Sequence, residues 1–136
     1  MIVEDDSDMI LVYDLFFARI GIDSISFTNP LIALDHFEQY HGQYCVVLLD
    51  WNLPDMNGLD LAKRMRKYDS EVRILLLTGR QIDGLVKNEI LLESKVSEIL
   101  YKPICIDVLG SRLLKLCSET ISNKRSSNDF ETESSC

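Results

Sequence analysis

Asp50 follows the apolar run Cys45-Val46-Val47-Leu48-Leu49 and precedes Trp51-Asn52-Leu53-Pro54-Asp55-Met56-Asn57-Gly58, so it stands where a buried strand gives way to a loop. A carboxylate there is poorly hydrated and needs a partner to stay charged. The chain offers further acids instead: Glu4, Asp5 and Asp6 follow the short apolar stretch Ile2-Val3. Carboxylates gathered on neighbouring strand ends repel one another unless a cation or a proton sits among them. A metal is therefore expected. Thr78 and Lys102 also follow expected strands, residues 73–77 and 97–101, apolar over 74–77 and 99–101. Acids can hold a cation, a carboxylate can be a nucleophile, and a hydroxyl with an ammonium can hold an arriving anion. These residue types point to phosphoryl transfer.

Such a site needs elements that bring distant strand ends together. Residues 2–3 read as a clipped first strand. Met9, Val12, Tyr13, Phe16, Phe17 and Ile20 recur at helical spacing over residues 8–20, with Ser7 or Asp8 as N-cap and Gly21 as stop. Residues 24–27 read as a second strand. A second helix spans 30–40, opened by Pro30, capped by Asn29 and carrying Leu31, Leu34 and Phe37 on one face. Strands over 44–49, 73–77 and 97–101 alternate with helices over about 58–68, 83–94 and 106–121, the last weakened by Gly110. Strands alternating with helices imply an α/β fold: a doubly wound five-stranded parallel sheet with helices on both faces, flavodoxin-like. In the strand order 2-1-3-4-5 the ends bearing Glu4, Asp50, Thr78 and Lys102 are neighbours on one edge, where such sheets place their sites.

Composition bounds the alternatives. The 136 residues fit one domain, expected over 1–121, with a polar and disordered tail over 122–136. A net charge of −8 argues against direct nucleic-acid binding. No apolar run approaches the ~20 residues of a membrane span, so a cytoplasmic protein without membrane contact is expected. Cys45, Cys105, Cys117 and Cys136 lack ligand-like spacing and are expected to be free thiols. His36 and His41 do not complete a zinc site. Lys63-Arg64 and Arg66-Lys67 read as a solvated basic face, and Trp51 as a solvent-facing loop residue.

Val3-Glu4-Asp5-Asp6, Leu49-Asp50 through Pro54 and Gly58, Leu77-Thr78-Gly79 and Lys102-Pro103 together resemble the receiver domain of two-component response regulators, over about residues 1–121. Each piece alone is weak; four in order are specific. The resemblance implies that Asp50 accepts a phosphoryl group from a sensor histidine kinase or histidine phosphotransfer protein in a Mg²⁺-dependent reaction. It further implies Mg²⁺ ligation by Asp5, Asp50 and the Asn52 carbonyl, with Glu4 acting through water. Thr78 and Lys102 would hold the phosphoryl oxygens, the Lys102–Pro103 bond would be cis, and Asp6 would be a solvated loop acid. Apart from phosphorylating and dephosphorylating itself, the chain would not be an enzyme. Its output would reach a downstream protein or an effector domain removed from the chain, and a homodimer could form through the fourth helix, fifth strand and fifth helix.

Two departures matter. The first strand has few residues before its acids. The switch position three before the lysine, usually aromatic in the family, is Ile99; Tyr101 lies on the same face, two residues further along. Asn52 and Arg80 occupy positions that tune phosphoryl lifetime in the family. An alternative reading is a pseudo-receiver, a binding module independent of phosphorylation. An aspartate-nucleophile phosphohydrolase is disfavoured, since Asn52 stands where those enzymes place a second acid.

Overall fold

A computed structural model of the chain describes the backbone of residues 1–134 and the side chains as far as residue 122. The last helix does not stop at the expected 121, its backbone continuing to Ser134; the side chains of the expected polar tail from residue 123 on lie outside the described residues. The elements are β1 (Ile2–Val3), α1 (Ser7–Arg19), β2 (Ser26–Phe27), α2 (Pro30–Tyr40), β3 (Val46–Asp50), α3 (Gly58–Met65), β4 (Arg73–Thr78), α4 (Gly84–Ser94), β5 (Glu98–Tyr101) and α5 (Ile106–Ser134), with a short 3-10 turn at His41–Gln43.

Among the described residues the strands form one parallel sheet in the order β2-β1-β3-β4-β5. Strand alternation sends side chains to two separate cores. Val47, Leu49, Ile74, Leu76 and Ile99 face α2, α3 and α4, whereas Val46, Leu48, Leu75 and Leu77 face α1 and α5. The three inner strands are apolar on both sides because helices cover both faces.

Each of the first four helices starts at an Asp or Asn whose side chain accepts from backbone amides of the first turn: Asp6, Asn29, Asn57 and Asp83. The first helix is capped by Asp6 rather than by Ser7 or Asp8, since Asp6 Oδ1 accepts from Asp8 N at 2.9 Å. Asp6 is thus more than a solvated loop acid. The second helix has the expected limits, but Leu31 is exposed and Ala33 takes the core position. Arg66 also departs from expectation: its guanidinium clamps the carbonyls of Asp69, Val72 and Lys95 instead of facing only water.

Gly110 does more than weaken α5. A Cβ there would lie 2.9 Å from Ile20 Cδ1 and 3.0 Å from Phe16 Cε1, so its absence lets α1 and α5 pack closely. The cysteines require a correction. Cys45 and Cys117, 72 residues apart, form a disulfide with their Cα atoms 4.8 Å apart. The pair is brought together when α5 packs on β3, which sequence spacing does not reveal. Cys105 is a free, exposed thiol, and Cys136 lies outside the described residues.

Candidate functional site

The site lies at the carboxyl edge of the sheet. Asp50 ends β3 and is 5% exposed, and Glu4, just past β1, is 3% exposed. Val3 pairs with Leu49 and Asp50 with Leu77, so the acidic segment, Asp50 and Thr78 sit on three adjacent strands. Backbone bonds continue beyond the strands: Trp51 N donates to Leu77 O at 2.8 Å and Lys102 N to Thr78 O at 2.7 Å. These bonds fix the relative heights of Asp50, Thr78 and Lys102.

Carboxylate oxygens of Glu4, Asp5 and Asp50 lie within 4.8 Å of one another. Lys102 Nζ stands 3.1 Å from Asp50 Oδ2 and 3.7 Å from Glu4 Oε2. Two of the three acids, Glu4 and Asp50, therefore share one ammonium, while Asp5 is exposed beside them. Burial, then the neighbouring Asp50, pushes the Glu4 carboxyl up to about 7 against the opposing pull of Lys102. The Asp6 amide donates to Glu4 Oε1 at 3.3 Å, and the Asn52 amide to Asp50 Oδ1 at 3.4 Å. Tyr13 on α1 has its phenol pushed up to about 12 by burial and by the charges of Glu4, Asp50 and Asp6. An all-oxygen donor set with excess negative charge fits a hard divalent cation such as Mg²⁺.

Other expected residues are placed less directly. Thr78 is 1% exposed at the end of β4, and its hydroxyl accepts from Arg80 N at 3.1 Å rather than contacting Asp50. Asn52 is exposed on the loop beyond Asp50. Ile99 is 2% exposed, pairs with Leu76 and belongs to the core rather than to the acidic cluster. The Lys102–Pro103 bond is cis.

Two features escaped the sequence reading. Gly58 N donates to Trp51 O at 2.8 Å, folding the loop back over Asp50, and a Cβ on Gly58 would lie 2.2 Å from Asp50 O. The glycine is needed for this close approach as well as for backbone freedom. Trp51 is half-buried against the core that contains Leu49 and Leu76, not turned to solvent. The only hint was its place directly after a buried strand.

Comparison with known proteins agrees with this geometry. The family profile of the response regulator receiver domain matches residues 1–114. Two-component response regulator 24 of Arabidopsis thaliana is 30% identical over 116 residues, covering 85% of this chain and 81% of that protein. The uncharacterized transcriptional regulatory protein YkoG of Bacillus subtilis is 32% identical over 113 residues, covering 83% of this chain but 48% of the relative, about half its length. The solved receiver domain of the Francisella response regulator 1452 superposes with a TM-score of 0.76 at 28% identity, covering 88% of this chain and 95% of that one. With its fold, its acidic edge and a profile that spans most of its length, the chain belongs to the response regulator receiver domain family.

Proposed function

We propose that the chain is a phosphoacceptor module of a two-component phosphorelay, with Asp50 the acceptor and the phosphohistidine of a kinase or phosphotransfer protein the donor. The observation that carries this reading is the meeting of the Glu4, Asp5 and Asp50 carboxylates with the Lys102 ammonium. Glu4, Asp5, Asp50 and the Asn52 carbonyl are the residues that would hold Mg²⁺. When bound, the ion would offset the charge of the acids and of the transferring phosphoryl group.

In the reaction an Asp50 carboxylate oxygen attacks phosphorus, the phosphorus–nitrogen bond to the donor imidazole breaks, and the nitrogen leaves with the electron pair. The new acyl phosphate carries a charge of roughly −1.5 to −2. Lys102, already 3.1 Å from Asp50, can follow that charge onto a phosphoryl oxygen. A hydroxyl has one proton to give and lone pairs to accept with, so Thr78 can accept from Arg80 N and still donate to the phosphoryl group.

A groove of about 490 Å³ runs from Lys102 and Pro103 between Ile104 and the α1 residues Met9, Val12 and Tyr13. We assign it to the donor, because Lys102 belongs to both the groove and the site and the donor must deliver its imidazole there. Output is assigned to α4, β5 and α5, which expose Leu85, Leu92, Val108 and Leu114 to a downstream protein. The homodimer expected there belongs to this proposal, and a beryllofluoride-dependent shift in elution volume would test it. No helix among the described residues is long and apolar enough to cross a membrane, and a cytoplasmic setting beside the donor is part of the proposal.

The pseudo-receiver reading is favoured by one observation, the aliphatic Ile99 at the switch position. One titration separates the two. Trp51, the single tryptophan, adjoins Asp50. Its fluorescence is expected to respond to Mg²⁺ and then to acetyl phosphate or beryllofluoride, with the second response absent in Asp50→Asn. Metal binding without any phosphoryl response would leave the pseudo-receiver.

A further inference from the structure

We propose that Tyr101, and not Ile99, passes the state of Thr78 to α4; this rests on the reading of Asp50 as a phosphoacceptor. In the register of β4 and β5, Thr78 is paired with Tyr101, while Ile99 is paired with Leu76. All four side chains are on the sheet face covered by α3 and α4, because Leu76, Ile99 and Tyr101 share that core and Thr78 has the parity of Leu76. Side chains at paired positions of neighbouring strands adjoin. Ile99 lies one pleat further from the acidic edge, about 6.6 Å along the strand, and is 2% exposed. Its register partner is Leu76, not the switch threonine.

Tyr101 has a second contact that Ile99 cannot make. The Lys87 ammonium lies 5.5 Å from the centroid of its ring, within the ~6 Å range of a cation–π interaction. Lys87 closes the first turn of α4, its amide donating to Asp83 O at 2.8 Å. Apart from the Asp83 cap on the Leu85 amide, the start of that helix is lightly held: Leu85 is 76% exposed and Val86 46%, and the buried residue of α4, Ser94, sits at the opposite end. The loop leading into α4 is attached to the same threonine, through the Arg80 amide on Thr78 Oγ1. Thr78 therefore reaches the first turn of α4 by two routes, the loop backbone and the Tyr101 ring.

When the Thr78 hydroxyl turns toward a phosphoryl group, space opens beside Tyr101 on the shared face. The half-buried ring moves into it and away from Lys87. Loss of one partly exposed cation–π contact shifts the local opening equilibrium of the first α4 turn about two- to fivefold. Tyr101 is thus a positioning residue for the output face, and it does not touch the reacting atoms.

The test is amide hydrogen exchange over residues 84–94 of the full chain, with Mg²⁺ and with or without beryllofluoride, while Trp51 fluorescence reports independently on Asp50. The parent, Tyr101→Phe and Ile99→Val are expected to show the α4 exchange response. Tyr101→Leu and Lys87→Met are expected to lose it while keeping the Trp51 response. Should Tyr101→Leu unfold, Lys87→Met alone decides, since that half-buried side chain is replaced by an unbranched apolar one of similar length. An α4 response that survives in Lys87→Met, or that disappears in Ile99→Val, overturns the assignment. A parent in which Trp51 responds and α4 does not overturns it while sparing the phosphoacceptor reading. A parent in which Trp51 itself is silent to beryllofluoride overturns both.

Discussion

Glu4 shows how the acidic edge is balanced. Its carboxyl is buried, and its proton is held up to about 7, first by burial and then by Asp50. In the unfolded chain the same group titrates near its ordinary value of 4.5. Below that value both states are protonated and Glu4 contributes fully. As pH rises from there toward 7, the unfolded chain releases its proton first, so the native state binds more protons and stability falls. The loss is on the order of 2–3 kcal/mol. A cation among the acids replaces that proton, so Mg²⁺ should stabilise the fold more at about pH 7 than at about pH 5. Urea unfolding at the two pH values, with and without Mg²⁺, measures this, and Glu4→Gln should remove this fall from the metal-free slope. The buried Met1 ammonium, held down to about 5, adds stability as pH rises over the same window, so the difference between parent and Glu4→Gln is what reports on Glu4. A metal-free difference that does not fall with pH would contradict its placement. Glu4, Asp5, Asp50 and Lys102 were legible in sequence because each closes an apolar run, and parallel strands put such ends on one edge. The capping by Asp6 was not, because Asp6, Ser7 and Asp8 can all cap and only backbone angles choose among them.

At the level of elements, two helical glycines make opposite demands. Gly58 opens α3 over the backbone of Asp50, and an added Cβ would lie 2.2 Å from the Asp50 carbonyl oxygen and 2.9 Å from its carbon. Backbone cannot rotate away. Gly58→Ala should cost about 1–3 kcal/mol or more by overpacking and should weaken Mg²⁺ binding, because the strand end that carries Asp50 must shift. Gly110 meets only the outer atoms of Ile20 and Phe16. There Gly110→Ala gains up to about 1 kcal/mol of helix propensity against a contact that side-chain rotation relieves, so its stability change should be close to zero. Urea midpoints and Trp51-monitored Mg²⁺ titrations of both variants give the comparison; equal losses would remove the distinction. The second helix was legible to the residue because Asn29, Pro30 and Gly42 punctuate it in sequence, Gly42 falling in the 3-10 turn that follows it. The third ended early, at Met65 rather than near Tyr68, because the amides of Lys67 and Tyr68 turn back to Arg64 and Met65 and Arg66 is drawn onto the Val72 carbonyl just before the next strand. Side-chain reach of that kind leaves no periodic trace.

For the molecule as a whole, the two edges of the sheet have separate duties. The carboxyl edge carries the acids, and the amino edge is fastened to α5. Cys45, just before β3, is bonded to Cys117, and Thr120 Oγ1 also donates to the Cys45 carbonyl at 2.6 Å. Closing a span of 72 residues restricts the unfolded chain by an entropy worth about 4.4 kcal/mol, with about 2–4 kcal/mol typical of measured cases. Reduction should therefore lower the urea midpoint, and the double variant Cys45→Ser, Cys117→Ser should show the lowered value with or without reductant. Because the Thr120 hydrogen bond and the Leu113 and Leu116 packing persist without the disulfide, α5 should stay docked. Asp50 lies five residues along β3 from Cys45, about 16 Å away, and the intervening Val46, Val47, Leu48 and Leu49 are held on both faces by packing that does not involve the sulfurs. Mg²⁺ affinity, read from Trp51, should accordingly be the same in the oxidised, reduced and double-serine proteins. A change in affinity on reduction that the double-serine variant reproduces would mean that the two edges are mechanically coupled through β3, and the separation argued from the packing would fail.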